Sequence, residues 1–344
     1  MLPTPLPFLK MRMLEPRFVL PDAWPQNRAL VLGSLHYGTS PEAFAVEERG
    51  APPAAAFEGA HHWALWVEKR GLSTAAVAES LARWAGCARG AVGFAGQKDR
   101  YAVTGQWFTV PRGVADREPP LPEGKGWRAL RLYPAAKKWR RGDHMGNGFR
   151  LRLAGAPREG AALEDALPAV LARLAAPIAN YFGPQRFGAG AGNLDAVQRW
   201  LAAGSLPRGV PQGFLFSTAR AYLFNRLLAA RIARFGLAAH PDDLCDESGV
   251  PTAPLWGRGR SASRGAMAEL EGSVLEPYGD LCHALEHAGL RQDRRALWIH
   301  AEAAHCEAVG PQQLLLGFQL PRGSFATAVL AALGPASWRP AEAA

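Results

Sequence analysis

Cysteine is scarce in this 344-residue chain and scattered where it occurs: the four are Cys87, Cys245, Cys282 and Cys306. No two form a Cys-x-x-Cys pair, which excludes a zinc ribbon and offers no disulfide framework. A reducing compartment and structural thiols are expected. No run of about 18 uninterrupted apolar residues exists, so a membrane-spanning helix is not expected. The opening MLPTPLPFLKMRML has three prolines and two basic residues but no continuous apolar stretch, making it a poor signal peptide. A soluble, cytoplasmic protein is the expectation. Glycines 188, 190 and 192 lack the Gly-x-Gly-x-x-Gly spacing of a dinucleotide loop, and no strand leads into them. No internal repeat is found.

Acidic residues are the minority among the charged ones. Lys and Arg number 39 against 30 Asp and Glu, a formal net charge of +9. That sign favours a polyanionic partner, because each Lys or Arg contact to phosphate releases condensed counterions. A merely solubilising surface charge explains the same number equally well. Hydrophobic residues make up 48% and charged residues 20%, enough to bury a substantial core and unlike a disordered chain.

Residues 1–30 are Pro-rich and read as an irregular arm. A helix is expected over Ser73–Gly86, with Ser73 or Thr74 as cap and Val77, Leu81 and Trp84 on one face. Ala91–Ala95 and Tyr101–Val110 read as strands joined by the polar connection Gly96–Arg100. Residues 148–154 alternate as a strand, and a helix follows over about 160–176 with Pro168 at a start or kink. From 178 to 290 the pattern is helix and loop. Its clearest helix is Ser217–Phe235, capped by Ser217 or Thr218, and a basic loop spans 247–265 with Arg258, Arg260 and Arg264. Strand character returns at Gln312–Leu320 before an Ala-rich helix. The simplest architecture is α+β: an opening segment over residues 1–177, a mostly helical insertion over 178–290, and a closing segment over 291–344 that rejoins the first sheet.

Three segments could carry chemistry. In GFAGQKDRYAVTGQWFT (93–109) one carboxylate, Asp99, stands between Lys98 and Arg100. A lone Lys-Asp-Arg is ordinarily a solvated turn, but here apolar strands bound it and Gly93 and Gly96 permit close approach. KKWRRGDHMGNGFR (137–150) surrounds Asn147 and Phe149 with bases. Clustered cations suit phosphates, while an amide and a ring suit the edge and face of an extruded base; a basic hairpin edge is the equal alternative. NYFGPQRFGAGAGN (180–193) mixes aromatics with Arg186. His283-Ala284-Leu285-Glu286-His287 matches the inverted zinc-protease pattern, but no third-ligand motif follows, so a surface helix is the reading and no metal is expected.

Together these segments resemble the TruD family of pseudouridine synthases. SPEAFAVEE (40–48), GFAGQKDRYAVTGQWF (93–108), RRGDHMGNGF (140–149), NYFGPQRFG (180–188), STARAYLFN (217–225), PLWGRG (254–259) and LPRGSFAT (320–327) follow in the family's order. The resemblance implies a pseudouridine-synthase catalytic domain with a mixed or antiparallel sheet, interrupted by the TRUD insertion. It implies isomerisation of uridine 13 in certain tRNAs, with tRNA as partner, no cofactor, no obligatory protein partner and a monomeric state. Asp99 takes the place of the family's nucleophile; Phe44, Asn147, Phe149 and Phe325 take those of its substrate-contacting residues. The sequence departs from the pattern where Gly38 replaces a usual basic residue, Ala43 a usual acidic one, and Trp139 a usual aliphatic one.

Pseudouridylation breaks the N1–C1′ bond, turns the uracil and rejoins it through C5, with no net redox change or hydrolysis. It requires an ionised carboxylate beside the sugar or base, as nucleophile or as base. Burial would raise the pKa of Asp99, so a cation must oppose the shift. Neighbours on extended backbone point away from each other, so the expected ion-pair partner lies outside the turn, leaving Lys98 and Arg100 for RNA phosphates or the core surface. The alternative class is a non-catalytic basic RNA-binding protein, which would not need Asp99.

Overall fold

Period-two alternation of apolar and polar residues builds one large sheet. The computed structural model describes residues 18–26, 29–38, 40–113, 118–157 and 162–338; of the arm expected over 1–30, residues 1–17 and 27–28 lie outside these. The chain opens with strands β1 (Leu32–Tyr37), β2 (Phe44–Arg49) and β3 (His62–Arg70), then helix α1 (Thr74–Trp84). Strands β4 (Gly93–Phe94), β5 (Val103–Pro111), β6 (Glu123–Gly124), β7 (Trp127–Ala135) and β8 (Gly146–Pro157) follow, then α2 (Leu163–Ala175) and β9 (Ile178–Ala179). Next come α3 (Gly192–Ala203), α4 (Gln212–Phe235), β10 (Thr252–Leu255), α5 (Gly265–Leu275), α6 (Gly279–His287) and β11 (Asp293–Ala296). The chain closes with β12 (Trp298–Ile299), β13 (Glu302–Gly310), β14 (Gln313–Pro321), α7 (Ala326–Leu333) and β15 (Ala336–Trp338).

The main sheet runs β13-β14-β8-β2-β5-β3-β7-β6, with β1 pairing both β15 and β8, and β4 pairing β5. It is mixed, because β2–β5 and β1–β15 are parallel while the remaining pairs are antiparallel. The expected α+β class with a mixed sheet is the one observed. Gln26–Asn180 and Leu297–Ala344 form one compact unit around this sheet, and β14 returns to it by pairing along the whole inner length of β8.

Inward residues of β3, Trp63, Leu65 and Val67, meet Val77, Ala78, Leu81 and Ala82 of α1. Farther along the same face, Phe44, Val46, Leu151, Leu153, Leu316 and Phe318 pack with residues of α2 and α7. The opposite face is closed by Trp107, Trp139 and three alanines. Ser73 caps α1, its hydroxyl accepting the Ala76 N–H at 3.2 Å. Pro168 sits inside α2 rather than at its start. The strand expected over Ala91–Ala95 shrinks to Gly93–Phe94, because Arg89–Ala91 turns as a 3-10 helix.

The second unit comprises Tyr181–Ala296 with the described residues up to Pro25. Its centre is α4, which begins at Gln212 rather than at Ser217. The Ser217 and Thr218 hydroxyls do not cap it; they donate back to the Phe214 carbonyl at 2.9 and 3.0 Å. Burial of Leu215 and Phe216 explains the extra turn. Within the expected basic loop, residues Thr252–Leu255 form a strand paired with β11. Phe18 packs edge-on against Tyr222, and Trp24 stacks on Tyr181 at 5.5 Å. Among the described residues, no helix is long and apolar enough to cross a membrane.

Candidate active site

Asp99 lies on the connection between β4 and β5, and that connection is clamped rather than loose. The Thr74 hydroxyl accepts the Lys98 N–H at 2.9 Å and donates to Gln106 Oε1 at 2.8 Å. Gln106 Nε2 in turn donates to the Gly96 carbonyl at 3.0 Å. From β3, Lys69 Nζ donates to the carbonyls of Leu72 at 2.7 Å and Asp99 at 2.8 Å. Arg100 Nε reaches the Gly71 carbonyl at 3.3 Å. Thr74, Gln106 and Lys69 are all buried. A solvated turn has no need of such an arrangement.

Behind the connection lies a buried ion pair. Lys98 Nζ donates to Glu48 Oε2 at 3.0 Å, with both side chains almost wholly out of solvent. The other carboxylate oxygen of Glu48 accepts from Trp139 Nε1 at 3.1 Å and from the Trp107 N–H at 3.4 Å. A full set of partners is what makes a buried charge pair tolerable. Gly96 leaves room for it, since a Cβ there would stand 2.9 Å from the Lys98 ammonium. His144 sits beside this pair; burial pushes its pKa down, with Glu48 opposing and Lys98 reinforcing. Lys98 is therefore committed to the interior and does not face RNA.

The Asp99 side chain itself is exposed. Its pKa is nevertheless raised, first by desolvation, while Lys69 and then Lys98 pull it back. The two observations describe different sides of one group: an open face where another molecule can reach it, and protein crowding around the rest. Its carboxylate has no ion-pair partner within 4 Å among the described residues, which corrects the expectation of a direct contact. The favourable charge acts at longer range, and the larger part comes from outside the turn. Lys69 is itself pushed down to about 8 by burial, with Asp99 holding it up and Lys98 pushing it down. Tyr37 is raised by burial and then by the negative charge of Asp99.

Strand register places the remaining candidates. Lys69 is paired with Thr104, Thr104 with Val46, Val46 with Phe149, and Phe149 with Phe318. Directly paired residues share a face, so Lys69 and Phe149 stand in one row, three strand spacings or about 14 Å apart. In the adjacent row Glu48 is paired with Asn147, and Asn147 with Leu320. Phe149 is half-buried and stacks on Phe318 at 5.2 Å. The Asn147 Oδ1 is buried without a hydrogen-bond partner among the described residues. Phe44 is buried in the core, its ring 6.4 Å from that of Tyr37. Phe325 precedes α7 as its half-buried cap residue. The turn before it is tied to the segment leading into β8: Arg322 donates its N–H to the Met145 carbonyl and its guanidinium to the Gly142 carbonyl at 2.8 Å.

The profile of the tRNA pseudouridine synthase D (TruD) family matches residues 33–215, more than half of the chain. A tRNA pseudouridine synthase D of Aeromonas hydrophila is 39% identical over 276 residues, covering 73% of this chain and 77% of the relative. This chain belongs to the TruD family. One from Pseudomonas putida is 37% identical over 332 residues, with 89% and 93% of the two chains covered. The fold agrees with that of a Methanosarcina mazei protein described as a putative tRNA pseudouridine synthase D: the TM-score is 0.59 at 19% identity, covering 92% of this chain and 96% of that one.

In this TruD-family chain the motifs contain Glu48 and Gln106 as well as Asp99, but give no sign that the first two frame the third. Lys69 and Thr74, which complete the frame, lie outside every motif. A subtler signal existed. Each inward stripe, Trp63-Leu65-Val67-Lys69 on β3, Phe44-Val46-Glu48 on β2 and Thr104-Gln106-Phe108 on β5, has polar residues at one end. Inward-facing polar residues that interrupt apolar alternation mark a functional or buried polar cluster. The His283 and His287 rings lie 3.9 Å apart, tilted by 38°, and Glu286 between them in sequence accepts from Trp256 Nε1 at 2.9 Å.

Proposed function

We propose that Asp99 is the carboxylate with which this protein, as a member of its family an isomerase of uridine to pseudouridine in tRNA, carries out its reaction, and that the uridine is the one at position 13. The observation that carries the reading is the clamp: an exposed carboxylate fixed on a buried hydrogen-bonded frame, with Lys69 and Lys98 favouring its ionised form. The position in tRNA rests on the ordered resemblance of the motifs.

The reaction moves a C1′ bond from N1 to C5 of the same uracil and a proton from C5 to N1. Nothing is oxidised and no water is consumed. Asp99 serves either as nucleophile or as the base that removes a sugar proton, and both routes need it ionised and rigid. Phe149, braced by Phe318, supplies a flat wall on which the detached ring turns without one edge being fixed. Asn147 offers the polar contact to that edge, and Phe325 stands at the tied turn as a further wall. Phe44 shapes the site from beneath, through Tyr37. The flatness of these partners suits an intermediate that must rotate.

Asp99→Asn should lower pseudouridine formation by about 10³-fold or more, while tRNA affinity stays within a few-fold because phosphate contacts dominate it. Mapping pseudouridine in tRNA from a synthase-deficient strain, alongside a binding titration, checks both. Retained turnover in the variant would sink the assignment, and a product at another position would sink the choice of uridine 13.

A further inference from the structure

The unit formed by Tyr181–Ala296 carries a recess that the chemistry at Asp99 does not use. It is about 400 Å³ in volume and is lined by Arg258, Gly259, Arg260, Arg291, Gln292 and Arg294. Two chain segments are locked together to make it. The Arg258 N–H donates to the Leu290 carbonyl at 2.6 Å, and the Arg258 carbonyl accepts the Gln292 N–H at 3.0 Å. Gly257 permits this approach, since a Cβ there would stand 2.6 Å from the Leu290 carbonyl oxygen. From α4, Arg220 Nη2 donates to the carbonyls of Leu255 at 2.7 Å and Arg291 at 3.1 Å, pinning both segments.

The charges around the recess are unbalanced. Arg258, Arg260 and Arg291 are exposed, and none of their guanidiniums has a hydrogen-bond or ion-pair partner among the described residues. Arg294 is the structural member: it bonds Thr252, Ser263 and Glu271. The nearby carboxylates are engaged, Glu271 with Arg294 and Ser261, and Asp293 with the Arg294 N–H. A solubilising surface would spread its cations or pair them. Here the backbone gathers three exposed guanidiniums around one hollow, a concentration of positive charge that favours a bound polyanion.

We propose that this recess is a phosphate-binding subsite for the tRNA backbone, with Arg258, Arg260 and Arg291 contacting consecutive phosphates. Arginine suits the task because its planar fork donates two parallel hydrogen bonds to one phosphate. Gln292 adds a means of recognising RNA. Its Oε1 is buried and has no partner among the described residues, an acceptor of the kind that a ribose 2′-hydroxyl satisfies. The choice of RNA over an acidic protein surface rests on the tRNA reading above, so the test separates the two.

The experiment titrates a fluorescent tRNA transcript against the full chain across a KCl series, for the native protein and for Arg258→Ala/Arg260→Ala/Arg291→Ala. The triple variant should bind about tenfold more weakly or worse near 100 mM KCl, and its log–log salt slope should fall by roughly 0.7–0.9 for each phosphate no longer neutralised. In turnover assays the loss should fall on KM more than on kcat. Single Arg→Glu variants at the three positions give the same readout should the triple variant melt early, and the corresponding Arg→Lys variants should keep most of the slope. Native Kd and slope in the triple variant, or in all three Arg→Glu variants, overturn the proposal and leave the cluster to an acidic protein. Weakened binding by the variants of a native protein that forms no pseudouridine would instead uphold this subsite and defeat the catalytic reading.

Discussion

Asp99 is governed by opposing forces at the scale of one residue. Crowding by protein disfavours its charge, and Lys69 followed by Lys98 restores it. The carboxyl therefore titrates above the usual aspartate value, and activity that needs the anion should fall on the acid side at a higher pH than an ordinary aspartate would give. Lys69→Met removes the larger of the two favourable charges, so the acid limb of kcat/KM should move to still higher pH in a pH–rate series. An unmoved limb would show that Lys69 only braces the backbone. Stability carries the opposite sign. A raised pKa means that the folded state binds the proton more tightly than the unfolded chain, so stability from this group declines as pH rises from the ordinary value through the raised one. Asp99→Asn should accordingly melt above the native protein at pH 7, with the difference vanishing in acid below both values. A melting series across pH tests it.

At the scale of elements, the frame of the site is made by α1, β3 and β5 together. Thr74 lies in the first turn of α1, yet its hydroxyl serves the Lys98 N–H and Gln106 rather than its own helix. Thr74→Val keeps the shape and removes both bonds. It should cost about 1–3 kcal/mol of stability, because a buried N–H loses its acceptor. It should also lower kcat about tenfold with KM nearly unchanged, through misplacement of Asp99; chemical denaturation and steady-state kinetics separate the two effects. On β8, Phe149→Ala removes the wall braced by Phe318 and should reduce turnover more than tRNA affinity. A larger loss in the binding titration than in single-turnover rate would count against a role in holding the base.

Over the whole molecule, the formal charge of +9 says only that a polyanion is welcome. The fold decides which charges are available. Lys98 is spent on Glu48, Arg294 on Glu271 and Arg231 on Asp243, each pair buried or partly so. Arg258, Arg260 and Arg291 are gathered around one recess, with no hydrogen-bond or ion-pair partner for their guanidiniums among the described residues. Arg295 illustrates the other extreme: it lies over the rings of Phe182 and Phe224, and burial, followed by the charge of Arg186, pushes it down to about 9. A count of cations cannot distinguish these fates.

The α+β class, the Ser73 cap and the strands around residues 103–111, 146–157 and 313–321 were legible in the sequence, because period-two and helical periodicities and capping are local. Ordered motifs singled out Asp99, Asn147 and Phe149 as candidates, a choice that rests on the resemblance and not on periodicity. The start of α4 was not legible, since Leu215 and Phe216 extend the helix by packing rather than by capping. Nor was the counter-charge: Lys69 stands thirty residues before Asp99, and only the pairing of β3 with β5 brings them together. Local patterns determine which residues turn inward, whereas long-range strand register decides which of those inward charges meet.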